Sequence, residues 1–199
     1  MAVTRERFEQ GMTYDQYKAQ MTRNRERFEE NDRAFQPAAA DQAAFKELPR
    51  ALPVLVLAED WCGDVIDNLP LLGRLAQESG KLDVRVFLRD QNLDIMDQFL
   101  NQGQYRSIPV FAFFDEQLNE LGRFIERPAS VSQQRDAKRR EVFAEHPELG
   151  SPETPITQMP EEARTQLMQL MASWRAQQKP AENAEVVRAL RAIVERVPA

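Results

Sequence analysis

The chain has 199 residues, 42% of them hydrophobic and 29% charged, which suits one domain with its own core and attached helices rather than two full domains. Its single cysteine excludes an intrachain disulfide and a structural zinc site of several thiolates, and it fits a reducing compartment. With 32 acidic residues against 26 basic ones, a net charge of −6, the chain lacks the basic face that wrapping nucleic acid requires. The densest basic run, Arg135 to Arg140, is interrupted by Asp136 and Ala137 and reads as a solvated helix face. The first ten residues, MAVTRERFEQ, hold no apolar h-region, and a run of about 18 apolar residues occurs nowhere. A soluble cytoplasmic protein, without secretion or membrane attachment, is expected.

From Thr13 to Phe35, apolar residues at Tyr14, Tyr17, Met21 and Phe28 have helical spacing, and Thr13 with Gln16 makes a capping box. A short helix over Asp41 to Leu48 ends before Pro49. Val54 to Ala58 is a continuous apolar run, as a central strand covered on both faces requires. Asp64 to Ser79 then repeats apolar residues with a period near 3.6 and closes at Gly80. Strands are expected over Asp83 to Leu88, Pro109 to Phe114 and Glu120 to Glu126, with helices over Leu93 to Asn101 and Val131 to Glu145. A proline-rich linker beginning at Pro147 leads to two amphipathic helices separated by Pro180, free to fold back on the domain or to dock on a second copy of the chain. The expected organisation is a helical extension over 1–50 packed on a core over 51–146, followed by a helical extension over 147–199.

The order from Pro53 onward, a parallel strand pair followed by an antiparallel hairpin with flanking helices, resembles the thioredoxin core. Trp61-Cys62-Gly63-Asp64-Val65, between the first strand and its helix, resembles the Trp-Cys-Gly-Pro-Cys motif of that family. Pro70 falls where thioredoxins carry a kinking proline, Asp90-Gln91-Asn92 resembles the turn before their next helix, and Arg106-Ser107-Ile108-Pro109 resembles the loop ending in their cis-proline. The resemblance covers Ala51 to Glu145 and is similar to a bacterial branch carrying WCGD. It implies an α/β thioredoxin-like fold, a central mixed sheet flanked by helices, with extra N-terminal and C-terminal helices.

The departures bear on chemistry. Val65 stands at the family's resolving cysteine, so a dithiol cycle within the chain is impossible. The family's buried aspartate and lysine fall on Val56 and Val86, and their joint loss leaves no unpaired buried charge. Cys62 sits at a helix N-terminus, which favours thiolate, but Glu59, Asp60, Asp64 and Asp67 lie within five residues of it and disfavour thiolate. No Lys or Arg lies between Ala51 and Gly73; Arg106 or Arg127 is expected to compensate from elsewhere.

Two functions remain open. In a monothiol redox enzyme, Cys62 attacks the disulfide of a protein, and a low-molecular-weight thiol resolves the product. In a noncatalytic module, the same surface holds an extended peptide. Cys62 and Asp64 are the catalytic candidates, Asp64 as a helix-start acid or a gate on thiol acidity. Trp61, Gly63, Arg106, Ile108 and Pro109 are the binding candidates, with Pro109 expected cis. His146, at a helix end, is not expected to be catalytic. No phosphate loop or metal-ligand pattern is present in the sequence, and no cofactor is implied.

Overall fold

The computed structural model describes residues 3–197. The first helices are short: Arg5–Glu9 (α1), Tyr14–Gln20 (α2), Arg25–Ala34 (α3) and Ala39–Lys46 (α4). The Thr13–Gln16 capping box forms with both of its hydrogen bonds. The single helix expected from Thr13 to Phe35 is instead two, because Met21 to Asn24 form a loop. Met21 turns inward there, and the Asp60 carboxylate accepts the amides of Thr22 and Arg23 at 2.8 and 2.9 Å. An acid distant in sequence thus satisfies the donors that a continuing helix would have paired.

Leu52–Ala58 (β1) is buried at every position, as a strand covered on both faces must be. It leads into Gly63–Ser79 (α5), which Gly80 ends in the left-handed region at φ 63°, its amide bonded to Ala76 O at 2.9 Å. Next come Leu82–Leu88 (β2), the single-turn helix Leu93–Met96 (α6), Val110–Phe114 (β3) and Glu120–Ile125 (β4). The helix expected to reach Asn101 stops after one turn, and Phe99 is buried beyond it. The sheet order is β2-β1-β3-β4, with β1 and β2 parallel and the other pairs antiparallel. This is the mixed sheet of the thioredoxin-like fold, with extra helices at both ends. Val56 and Val86 are register partners, both buried, and close an apolar seam between β1 and β2.

The N-terminal helices belong to this core. Phe8, Tyr17, Phe28 and Phe45 are fully buried in the same apolar cluster as β1, each such side chain contributing about 2–3 kcal/mol by removal from water. Helices α3 and α4 pack on α5, and α2 lies on β2. Tyr14 seats its ring over Gly73, where a Cβ would collide with it. Met12 exchanges both backbone hydrogen bonds with Val86, at 2.9 and 2.7 Å, covering part of the β2 edge.

Two helices follow, Ala129–Glu145 (α7) and Glu161–Val194 (α8). The expected break at Pro180 does not occur, and α8 runs through it. An interior proline costs about 3 kcal/mol through its missing donor and ring clash. Close beyond it, Glu182 takes a bidentate contact from Arg135, at 2.9 and 2.6 Å, which fixes the continuing turn. The described residues divide into two units, one running to Arg127 and resuming at Val186, the other Pro128–Glu185. In the first, Val186, Val187, Leu190, Ile193 and Val194 join the main core. The second has a small core of Val142, Phe143, Leu149, Met159 and Leu167. No helix among the described residues is long and apolar enough to cross a membrane.

Candidate functional site

The end of β1 delivers Glu59 to Cys62 to the start of α5. Cys62 is the N-cap residue, with an extended backbone at φ −84° and ψ 119°, and its carbonyl accepts the Ile66 amide at 3.1 Å. Gly63 is the first helical residue, and a Cβ there would meet nothing within 4 Å, so the surface beside the cysteine is open at that position. Across from it, the Ile108–Pro109 peptide bond is cis, and the Cys62 thiol donates to the Ile108 carbonyl at 3.5 Å. Residues 106–109 lie outside every strand, although β3 begins at the next residue.

Burial pushes the Cys62 thiol above its ordinary range, and the carboxylates of Asp64 and Glu126 push in the same direction. The amides of Val65 and Asp64, at the helix N-terminus, oppose them without prevailing. The net displacement is upward, which favours the neutral thiol over the thiolate. A neutral thiol also suits its position, since it has a proton to give to the Ile108 carbonyl where a thiolate would confront that oxygen.

The four carboxylates near Cys62 in sequence do different work in space. Asp60 caps the loop between α2 and α3; burial pushes its carboxyl up, but the amides of Thr22 and Arg23 outweigh this and hold it below its usual range. Asp67 pairs with Arg27 of α3 at 2.7 Å. Glu59 is 8% exposed and accepts the Asp90 amide at 2.8 Å; burial, the leading cause, pushes its carboxyl up. Asp64 is the one of the four whose charge is felt at the thiol, raising it, and its carboxylate is ion-paired with Arg127.

Arg127 also donates to Glu126 at 2.6 Å, so one guanidinium serves two carboxylates beside the thiol. Glu126 sits in the left-handed region at φ 62°, uncommon for a non-glycine residue. Three bonds hold it there: its amide to Pro109 O at 2.7 Å, its carbonyl from Asn68 at 2.9 Å and its carboxylate from Asn101 at 3.3 Å. The end of β4 is thereby anchored to both the proline loop and α5.

Among the residues singled out from sequence, Cys62, Gly63, Asp64, Ile108 and Pro109 converge here, and Trp61 borders them with 43% exposure. The Arg106 side chain does not join them. Its guanidinium takes both oxygens of Asp97, at 2.7 and 3.0 Å, and compensation comes from Arg127 instead. His146 contacts Glu148 at the end of α7. Glu126, Asn68 and Arg89 carry no signal in the sequence, because long-range packing alone places them. Among the described residues, no group of three or more His, Cys, Asp or Glu side chains is arranged to hold a metal ion.

A family model described as Thioredoxin matches residues 11–139. No curated protein matches the chain. Solved structures that share its fold include two of nearly the same length. One is a protein of unknown function from Pseudomonas aeruginosa, 20% identical, with a TM-score of 0.69 and 98% of each chain covered. The other is an HIV epitope scaffold, 18% identical, with a TM-score of 0.65, covering 99% of this chain and all of the scaffold.

Proposed function

As the chain belongs to the thioredoxin family, we propose that it uses that family's site as a binding cleft for an extended segment of a protein partner, with Cys62 as a neutral contact rather than a nucleophile. The observation carrying this reading is the thiol itself: half-buried, donating to Ile108 O and pushed up by burial and by two carboxylates. The backbone at 106–108 belongs to no strand of the sheet and suits pairing with an incoming one, and Trp61 offers an exposed aromatic surface beside it. Without a second cysteine, no internal disulfide can release a trapped partner.

A monothiol exchange reading is favoured by one observation, the amides of Asp64 and Val65 directed at the sulfur. In that reaction the Cys62 thiolate attacks a partner disulfide, one partner sulfur leaves as thiolate, and an external thiol then displaces Cys62 from the mixed disulfide. A high thiol pKa works against it twice, by lowering the thiolate fraction and by making Cys62 a poor leaving group.

The readings separate in exchange with a small aromatic disulfide at pH 7. A neutral contact reacts no faster than the cysteine of the unfolded chain; a nucleophile reacts faster. A peptide array probed with wild type and Cys62→Ser separates them again. The binding reading expects the same peptides retained by both proteins, and retention lost in Cys62→Ser overturns it.

A further inference from the structure

Arg89 follows β2 directly and makes contact with each side of the cleft. Its guanidinium lies over the Trp61 ring at 4.9 Å from the centroid, and its Nη1 donates to the Arg106 carbonyl at 3.1 Å. Trp61 immediately precedes Cys62; Arg106 begins the loop that ends in Pro109. The remaining nitrogens are engaged as well, Nε and Nη2 both donating to Asp90 at 2.9 and 2.7 Å. Asp90 is in turn fixed by its amide, which donates to the buried Glu59 carboxylate on the β1 side. One planar cation thus joins the cysteine loop, the β2 end and the proline loop, with its side chain only 20% exposed.

We propose that Arg89 is a positioning residue that sets the opening between the Trp61–Cys62 loop and residues 106–109, and so controls access to the thiol. The role rests on the reading of this cleft as the binding site, but its consequences appear in the free protein. The stack fixes one face of Trp61 and leaves its exposed remainder for a partner. The bond to the Arg106 carbonyl restrains the loop one peptide before Ser107 and two before the thiol's own acceptor, Ile108. Only a guanidinium can stack, donate forward to a carbonyl and donate sideways to a carboxylate at once, so lysine should not replace it.

The test uses the full chain carrying Trp174→Phe, leaving Trp61 as its sole tryptophan. Arg89→Gln and Arg89→Lys are compared with Arg33→Gln, an exposed charge on α3. Two signals are read: acrylamide quenching of Trp61, and the rate of Cys62 alkylation at a pH where the thiol is ionised in every variant. Both should rise in Arg89→Gln and Arg89→Lys, alkylation by about fivefold from the loss of one stack and one charged hydrogen bond, and neither in Arg33→Gln. Unchanged quenching and alkylation in folded Arg89→Gln overturn the proposal, as does full rescue by lysine. If the Arg89 variants do not fold, Trp61→Leu removes the stack from the other side; unchanged alkylation in it is equally contradictory. The pH midpoint of alkylation reports on the neutral-thiol reading separately, so either idea can fail without the other.

Discussion

Replacing Asp64 by asparagine isolates the electrostatic control of Cys62. The carboxylate lies at the start of α5 beside the thiol, raises its pKa, and shares Arg127 with Glu126. Asparagine removes one negative charge, leaves Arg127 paired with Glu126, and keeps the backbone amide that favours thiolate. The lost charge and the less neutralised guanidinium act toward a lower thiol pKa, and the retained amide leaves its own contribution unchanged. Loss of one nearby like charge, partly offset already by Arg127, is worth about half to one pK unit, or roughly three- to tenfold more thiolate at pH 7. Asp64→Pro removes the same charge but also the amide bonded to the sulfur, so its downward shift should be smaller than that of asparagine. Arg127 retains Glu126, so the cost to folding should be about 1–2 kcal/mol, below that of a fully orphaned buried charge. The assay is the iodoacetamide rate against pH for wild type and both variants, with urea unfolding for stability. A midpoint that stays put or rises in folded Asp64→Asn refutes the reasoning and points to Asp64 as a proton carrier.

Gly73→Ala should destabilise by about 1–3 kcal/mol in urea unfolding, because its Cβ enters the space of the buried Tyr14 ring; a neutral outcome would mean that α2 shifts freely on α5. Glu59→Gln should raise the melting temperature at pH 7, since glutamine still accepts the Asp90 amide without the buried charge. Because burial raises the Glu59 carboxyl, its stabilising contribution is full below its ordinary value of 4.5 and is lost as pH rises through the folded value. The advantage of glutamine should therefore shrink in melts taken below pH 4.5, and a pH-independent advantage would contradict this assignment. Val65→Cys should form a disulfide with Cys62 under mild oxidation, counted by loss of free thiols; two persistent thiols would show that this helix start does not bring the sulfurs together.

The strand–helix order and the position of Cys62 were legible because they rest on local pattern. An unbroken apolar run over 54–58 marks a central strand, and helical periodicity ending in glycine marks α5. The capping box of α2 was legible for the same reason. The break at residues 21–24 was not, since its cause is the Asp60 carboxylate nearly forty positions away. Continuity through Pro180 was hidden because proline's local cost is visible in sequence and the Arg135–Glu182 contact is not. At the site, the four carboxylates around Cys62 suggested one acidic cluster. Tertiary structure gives Asp60 and Asp67 to α2 and α3, brings in Glu126, and supplies Arg127 where Arg106 was an equal candidate. Arg89 carried no motif; its contacts exist only once β2 ends beside Trp61.

The central claim is that Cys62 is a neutral contact in a binding cleft, and the pH midpoint of its alkylation in the folded protein tests that most directly. As the sole cysteine, Cys62 is the only thiol that can report. A neutral contact has a midpoint above the ordinary value of about 8.5, with a rate at pH 7 below that of the unfolded chain. A midpoint clearly below that value would contradict it, because the helix amides would then outweigh burial and the two carboxylates, leaving a reactive thiolate at neutral pH.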